Sequence, residues 1–322
     1  MDEFSFIDTI KQRYYRQPAL IKGVGDDAAV FRENSKDIVT SVDTFVEGIH
    51  FTRETMEPFH AGYRALAANI SDLAAMGSVP AFYLVSIVVP DTWSEDELKE
   101  VYRGMKEIGR HFRMDMIGGD TVSGKEFSLS ITVIGFTERE KARYRHTAQD
   151  GDVVFVTGTL GCSQAGFHIL TNPGNYQDKA YFIDRHRIPF PRAEFGAALG
   201  DMPRVALNDI SDGIANETAE IAEASQVVIT LQEDQIPVAA YYGQFTPEQQ
   251  HHWKLYGGED FELAGTVAEE NWPAVEAIAA RTNTKISRIG YVSQADTYGK
   301  VFLEKNGRCT LLQKKGYTHL SR

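Results

Sequence analysis

Carboxylates beside glycine or serine recur where the apolar segments of this sequence end. The first half holds Asp26 and Asp27 in KGVGDDAAVF, Asp43 in TSVDTF, Asp72 in NISDLAAMG and Asp120 in MIGGDT. The second half adds Asp209 and Asp212 in LNDISDG, and Glu259 and Asp260 in LYGGEDFEL. Taken singly, each acid is explained as a turn or helix cap, and Asp212 would cap a helix that begins near Gly213. Taken together, they predict a site if folding brings them close.

Converging carboxylates need cations to remain ionised. Two unit charges about 4 Å apart repel by about 4 kcal/mol at an effective dielectric constant near 20. Four or five such charges would cost more than the roughly 5–15 kcal/mol by which a typical domain is stable. Hard oxygen ligands favour Mg²⁺, Ca²⁺ or Mn²⁺ over zinc, and Mg²⁺ usually divides its coordination between carboxylates and substrate phosphates. The acids therefore predict a multi-metal phosphate site, provided that they converge.

The segment around Asp72 supports this interpretation. Pro58 and Gly77 are start and stop signals that predict a helix over residues 58–77. Its core-facing stripe consists of Phe59, Tyr63, Leu66, Ile70 and Leu73. The face of Asp72 instead carries Ala61, Ala65, Ala68 and Ala75. Because a solvated face would carry Lys and Glu, these small residues indicate close approach by another element or a ligand.

Strands and helices alternate along the whole chain, and the polar segment TAQDGD at 147–152 marks a boundary. We therefore predict two domains of α/β or α+β class, residues 1–148 and 149–322. In the first domain, strands are predicted at 37–46, 81–90, 114–119 and 127–136, and a second helix at 94–112. In the second, strands are predicted at 153–158, 204–207, 226–231, 261–267, 285–292 and 300–304, and helices near 162–171, 213–224 and 270–281.

Composition excludes several classes of protein. A net charge of −12 over 322 residues argues against a nucleic-acid binder, which usually has a basic face. No apolar stretch approaches the roughly 20 residues that span a bilayer, and the first residues lack the apolar core of a secretory signal. The two cysteines, Cys162 and Cys309, are too few for a disulfide framework or a structural zinc site. We expect a cytoplasmic protein without nucleic-acid or membrane partners.

As an ordered set, the motifs resemble one family of enzymes. The segments GVGDDAAV, SVDTFVEGIHF, AANISDLAAMGSVP, IGGDT, DISDG, GGEDFEL and KKGYTHL follow the order and spacing of the thiamine-monophosphate kinases. That family belongs to the superfamily of aminoimidazole ribonucleotide synthetase, selenophosphate synthetase and a hydrogenase maturation factor. The resemblance extends over nearly the whole chain, from about residue 4 to about residue 320.

The resemblance implies a fold and a reaction. An N-terminal α/β domain with a mixed sheet would form a barrel with a second subunit at a homodimer interface, and a C-terminal α+β domain would complete the active site. ATP would phosphorylate thiamine monophosphate to thiamine diphosphate, in thiamine diphosphate biosynthesis. Transfer would be direct and in line, assisted by several Mg²⁺ ions, without a phosphoenzyme.

The resemblance also implies residue roles. Catalytic roles fall on Asp27, Asp43, Asp72, Asp120, Asp209 and Asp212. The metal ligands would be the same six aspartates, Ser41 and the carbonyl group of Val42. Nucleotide contacts fall on Gly119, Asp120, Arg145 and Ser211, and substrate contacts on His50, Glu259 and Tyr317. Asp26 would either orient its turn or bind a metal through water.

Other functions stay open at this point. A selenophosphate synthetase would need a reactive Cys or selenocysteine near the N-terminus, whereas no Cys precedes Cys162. An aminoimidazole ribonucleotide synthetase would use a different acceptor-binding half, and GGEDFEL fits the thiamine enzymes better. A non-catalytic nucleotide-binding or cation-binding protein would bind ATP without turning it over. His50 could be a half-buried structural histidine, and Tyr317 could simply pack.

Overall fold

The computed structural model of the protein describes residues 20–22, 26, 29–33, 35–295 and 297–315. Two of the predicted site residues, Asp27 and Tyr317, lie outside these ranges.

Six described strands of the N-terminal half form an open mixed sheet in the order β1-β2-β3-β6-β4-β5. They are β1 Leu20–Lys22, β2 Ala29–Glu33, β3 Lys36–Val46, β4 Val79–Val89, β5 Asp115–Ser123 and β6 Ser128–Glu138. Neighbouring strands are antiparallel, except for β4 and β5, which run parallel. Two long helices belong to this half, α1 Pro58–Ala75 and α2 Glu95–His111. Helix α1 packs on β3 and β6 and also against α2.

The ends of both helices follow from local sequence. Pro58 occupies the first turn of α1, and Gly77 adopts a left-handed φ of 65° just past its end. Helix α2 begins with a capping box, in which the Ser94 side chain accepts from the Glu97 N–H and the Glu97 side chain accepts from the Ser94 N–H. The helices touch where glycine leaves room, since a Cβ at Gly104 would lie 2.0 Å from the carbonyl oxygen of Phe59.

Seven described strands of the C-terminal half form a second mixed sheet in the order β13-β12-β9-β11-β7-β10-β8. They are β7 Asp152–Thr157, β8 Ala206–Asp209, β9 Val228–Gln232, β10 Leu263–Ala268, β11 Ile286–Ser293, β12 Lys300–Lys305 and β13 Arg308–Leu312. The helices are α3 Cys162–Thr171, α4 Lys179–Arg187, α5 Ala193–Ala198, α6 Ile214–Ser225, α7 Pro247–Tyr256 and α8 Trp272–Arg281. None of the described helices is long and apolar enough to cross a membrane.

Most predicted elements are confirmed to within about two or three residues, as helix boundaries usually are. The strand predicted at 114–119 was too short, because parallel pairing with β4 continues β5 through Asp120 to Ser123. Elements β1, β2, β13, α4, α5 and α7 were not predicted individually. Helix α4 has the sequence KAYFIDRHR, whose scattered charges hide a helical period, and α5 spans only six residues.

The contact between α1 and α2 gives a prediction about stability. Gly104→Ala forces a methyl group into the carbonyl group of Phe59, so we expect the free energy of unfolding to fall by about 1–3 kcal/mol in urea denaturation. Gly243→Ala is the control, because no described atom lies within 4 Å of a Cβ there. Unfolding midpoints that are equal for Gly104→Ala and the wild type would contradict this packing.

Candidate active site

One turn of α1 holds the strand that carries Asp43. Asn69 Oδ1 accepts a hydrogen bond at 3.1 Å from the backbone N–H of Asp43 on β3. The amide nitrogen of Asn69 is itself fixed, because it donates to the carbonyl oxygen of Ala65 at 2.9 Å. Asn69 is buried, and it was not among the predicted site residues, although it lies in the AANISDLAAMGSVP motif three residues before Asp72.

The same turn holds two further acids of the predicted set. The Ser41 hydroxyl of β3 donates to the carboxylate of Asp72. Ser71 Oγ donates at 2.7 Å to Asp209 Oδ2, at the end of β8. Three residues of one helix, Asn69, Ser71 and Asp72, therefore connect the first sheet with the second. The small-residue face of α1 does meet another element, as predicted.

The carboxylates of Asp43 and Asp209 repel each other across this junction. Burial raises the pKa of Asp209 to about 6, while the hydrogen bond from Ser71 and the charge of Arg145 oppose that rise. Repulsion from Asp43 and Glu220 adds to it. Asp43 is exposed as a residue, yet desolvation of its carboxyl group raises its pKa too. Asp43, Asp209 and Glu220 thus bring negative charge close together at this junction.

Arg145 is a cation beside this cluster. It lies in a 3₁₀ turn, Arg145–Thr147, whose first carbonyl group accepts from Ser225 Oγ at 2.7 Å. Its Nε lies 3.7 Å from Asp26 Oδ1, and its Nη1 lies 3.2 Å from Glu220 Oε2. Asp26 therefore lies beside the guanidinium group of Arg145.

The LNDISDG segment leads into α6 without a side-chain cap. The N-cap residue of this helix is Gly213 rather than Asp212. The backbone N–H of Asp212 instead donates to Glu217 Oε1 at 2.7 Å. Burial raises the pKa of Glu217 well above its usual value, and repulsion from Glu220, Asp212 and Asp209 adds to the rise. Glu217 was not among the predicted site residues, although a glutamate on the buried face of a helix is unusual.

The GGEDFEL segment runs alongside LNDISDG. The N–H of Glu259 donates to the carbonyl group of Ser211 at 2.7 Å, and the N–H of Phe261 donates to that of Ile210 at 3.0 Å. Gly258 has a left-handed φ of 63°, and a Cβ there would lie 2.3 Å from the Ser211 carbonyl oxygen. Glycine is therefore required for the two motifs to lie together.

The three acids of GGEDFEL have different environments. Asp260 is buried and accepts hydrogen bonds from the N–H groups of Gly161 and Ser163, at 2.6 and 3.1 Å, where α3 begins. Burial raises its pKa to about 6. Glu262 is completely buried, whereas the side chain of Glu259 remains 33% exposed. Only Glu259 of the three is accessible to a ligand.

Glu262 is the anion between two arginines. Its carboxylate accepts from Arg192 Nε and Nη2, both at 2.7 Å, from Arg185 Nη2 at 2.9 Å and from Thr157 Oγ1 at 2.7 Å. Burial alone would raise the pKa of Glu262, but Arg192 and Arg185 hold it below its usual range. This residue fixes the loop rather than binding a ligand.

His50 lies in the connection between β3 and α1. Its Nδ1 accepts from the N–H of Val46 at 3.0 Å, so the neutral ring carries its proton on Nε2. The same connection is anchored by Glu47, which binds Arg53 at 3.1 Å and accepts from Trp93 Nε1 at 2.8 Å. This hydrogen bond fixes the orientation of the His50 ring and leaves Nε2–H as its hydrogen-bond donor.

Asp120 is not brought to the other acids within one chain. The register places Gly119 opposite Val85, Val85 opposite Ile131, and Ile131 opposite Asp43. Gly119 and Asp43 are therefore three strand spacings apart, which is about 14 Å. Because Asp120 follows Gly119, its side chain faces the side of the sheet opposite to that of Asp43. The outward face with Asp120 also carries Val42, which is 57% exposed.

The described residues thus gather Ser41, Asp43, Asp72, Asp209 and Arg145 at one junction, with Asp26 and Glu220 beside them. Ser211, Asp212 and Glu259 lie on the adjoining loops. No group of three or more His, Cys, Asp or Glu side chains in the described part of the chain is close enough to hold a metal ion unaided.

Comparison with known proteins assigns the family. The chain matches the family described as AIR synthase related protein, N-terminal domain, over residues 25–137, and the corresponding C-terminal domain over residues 149–301. It is 44% identical over 325 residues to a thiamine-monophosphate kinase of Bacillus subtilis, with 99% of each chain covered. The chain belongs to the thiamine-monophosphate kinase family. Its relative in Escherichia coli K12 is 36% identical over 304 residues, covering 93% of this chain and 92% of the relative.

Similarity to solved structures agrees with this family assignment. A thiamine-monophosphate kinase from Stenotrophomonas maltophilia K279a superposes with a TM-score of 0.78 at 30% identity, covering 96% of this chain and 98% of the other. AaThiL complexed with AMPPCP and TMP superposes with a TM-score of 0.84 at 28% identity, covering 99% and 97%. The hydrogenase maturation protein HypE shares the fold, with a TM-score of 0.72 at 20% identity over 94% of this chain and 95% of the other.

The pairing of Glu262 with two arginines gives a second prediction. Glu262→Gln leaves Arg185 and Arg192 without their counter-ion, so we expect a loss of about 3–5 kcal/mol in the free energy of unfolding. The control is Glu269→Gln, whose exposed partner Arg288 lies 2.9 Å away, and which should cost less than about 1 kcal/mol. Denaturation curves that fail to separate the two variants would show that Glu262 does not hold the loop.

Proposed function

We propose that this protein transfers the γ-phosphoryl group of ATP to thiamine monophosphate, giving thiamine diphosphate and ADP. The observation that carries the proposal is the crowding of Asp43 and Asp209 beside Arg145, in a chain that matches thiamine-monophosphate kinases over its full length. Excess negative charge next to one arginine suits a site that is completed by cations and a triphosphate. The similar AaThiL structure holds AMPPCP and TMP, which supports the presence of two ligand sites.

The donor set at the junction suits Mg²⁺. Asp43, Asp72, Asp209 and the Ser41 hydroxyl are hard oxygen donors, and too few of them converge to enclose an ion. This arrangement fits an ion that keeps waters and phosphate oxygens in its coordination sphere. Asp27, Asp212, Asp120 and the Val42 carbonyl would supply further ligands. When bound, several Mg²⁺ ions would neutralise the phosphates and hold them in line.

The acceptor requires little help from a general base. A phosphate monoester has a second pKa near 6, so its attacking oxygen is largely ionised at neutral pH. The difficulty is the approach of one anion to another, which fixed positive charge reduces. Arg145 would hold the triphosphate through its charge, with Gly119, Asp120 and Ser211 as further nucleotide contacts. We therefore propose direct transfer.

The thiamine part would bind between His50 and Glu259. The loop of His50 and the loop of Glu259 both contact α4, because Arg187 Nε donates to the carbonyl group of Thr55 at 2.7 Å and Arg185 Nη2 donates to that of Asp260 at 3.2 Å. The Nε2–H of His50 would donate to the acceptor, and the carboxylate of Glu259 would accept from it. Tyr317 would add an aromatic contact.

A second copy of the chain would complete the site. The N-terminal sheet is open, β5 is exposed along its whole length, and its Met116 and Ile117 are about half exposed. We propose that this face forms the barrel of a homodimer. Asp120, which one chain holds far from Asp43, would then join the acids of its partner.

The reaction itself is tested with the wild-type protein. Incubated with Mg²⁺ and γ-³²P-labelled ATP, it should release ADP only when thiamine monophosphate is present, and the label should appear in thiamine diphosphate. Release of ADP without an acceptor would favour another member of the superfamily, and ATP binding without turnover would favour a binding protein. Label bound covalently to the protein would refute direct transfer.

Mixed dimers test the contribution of Asp120 across the interface. Asp43→Asn and Asp120→Asn should each inactivate the protein when present in both subunits. After unfolding and refolding together, they should recover about a quarter of wild-type turnover, since half of the dimers are mixed and half of their sites are intact. Refolding each variant alone is the control. The absence of recovery in the mixture would contradict a shared site at the dimer interface. It would mean that one chain supplies both Asp43 and Asp120 to its site, or that the two residues belong to separate sites.

A further inference from the structure

Arg64 is the largest fully buried side chain described, and its partners lie in the other half of the molecule. It belongs to α1, has no solvent-exposed surface, and places Nη2 2.6 Å from Glu259 Oε2. Its Nη1 donates to the carbonyl group of His186 and lies 3.3 Å from Nδ1 of the same residue. Its guanidinium group also lies over the ring of Phe261, at 5.6 Å. A buried arginine is costly unless its charge is compensated.

Glu259 provides that compensation. The other contacts of the guanidinium group are uncharged, because burial and the neighbouring Arg64 and Arg187 lower the pKa of His186 well below its usual value. Neither Nε nor Nη2 of Arg64 has a hydrogen-bond partner among the described residues, so the close ion pair of Nη2 with Glu259 is the principal compensation of its charge. The pair also runs between the two halves of the chain.

The backbone of Glu259 is held in a sparsely populated conformation. Glu259 and Phe261 have positive φ values of 55° and 49°, a left-handed conformation that is unfavourable for non-glycine residues. Such strain persists where the surrounding structure holds it, and it is concentrated at ligand sites. Here the backbone is fixed by the hydrogen bond to Ser211, and the carboxylate is fixed by Arg64.

We infer that Arg64 is a positioning residue for the acceptor, which fixes Glu259 so that its second oxygen accepts a hydrogen bond from an N–H donor of that ligand. Oε2 is bound to Arg64, while Oε1 makes no polar contact with any residue that the structure describes. The pair has no net charge, so it favours a neutral donor over a cation. This inference rests on the proposed function, because thiamine monophosphate offers one such neutral donor, the amino group of its pyrimidine ring.

The test compares Arg64 variants in steady-state kinetics. Arg64→Met should raise the KM for thiamine monophosphate by about tenfold or more, which is the loss of a charge-assisted hydrogen bond, and should leave the KM for ATP unchanged. Arg64→Lys keeps the positive charge but lacks the planar guanidinium group and its several N–H donors, so it should raise the KM for thiamine monophosphate by a smaller factor. The double variant Arg64→Met/Glu259→Gln removes both charges, so it leaves no unpaired charge that could impair folding. Its KM for thiamine monophosphate should match that of Arg64→Met.

The matched control is Arg143→Met. Arg143 is also buried and spans both halves, where it donates to the carbonyl groups of Leu199 and Met202, but it does not contact Glu259. It should lower thermal stability and leave the KM for thiamine monophosphate at the wild-type value. An acceptor analogue with a hydrogen atom in place of the amino group should have a higher KM than thiamine monophosphate in the wild type. In Arg64→Met the two acceptors should have the same KM.

The outcomes separate the inference from the proposed function. A wild type that does not phosphorylate thiamine monophosphate would overturn the proposed function, and the inference with it. A wild type that is active, with Arg64→Met at the wild-type KM, would overturn the inference alone. Equal increases of both KM values, or an Arg143→Met effect as large as that of Arg64→Met, would reduce Arg64 to a structural role and overturn it as well.

Discussion

The arrangement of this protein depends on carboxylates being held close together at the junction of two sheets. One turn of α1 does this, because Asn69 holds the strand of Asp43, Ser71 holds Asp209, and Asp72 accepts from β3. Burial raises the pKa of both Asp43 and Asp209, and repulsion from Asp43 adds to the rise at Asp209. Arg145 is the neighbouring positive charge that lowers the pKa of Asp209, and the proposed ligand complex would bring further cations to this junction.

The neighbouring charged groups divide into those that hold the fold and those left for ligands. Glu262 forms buried ion pairs with Arg185 and Arg192. Asp260 is buried too, and it accepts a backbone hydrogen bond at the start of α3. They fix the segment in which Glu259, of its three acids, remains accessible. Arg64 then links that segment back to α1, so the helix that organises the acids also orients the residue proposed to contact the acceptor.

Local patterns in the sequence predicted much of the fold and part of the site. Pro58, Gly77 and the alanine face predicted α1 and its close contacts, because helix ends and periodicity are local properties. The partnership of Ser71 with Asp209 could not be predicted, since it joins residues 138 positions apart. The place of Asp120 depends on strand register, which no motif shows. The ligand roles, the division at residue 148 and the cytoplasmic location stay predictions.

The central claim is that the acids around this turn of α1 bind cations together with the triphosphate. Anomalous diffraction from crystals grown with Mn²⁺ and a non-hydrolysable ATP analogue tests it most directly. The account predicts manganese peaks within bonding distance of the carboxylates of Asp43, Asp72 and Asp209, bridged to phosphate oxygens. Peaks elsewhere with these carboxylates uncoordinated, or a nucleotide bound away from them, would contradict it.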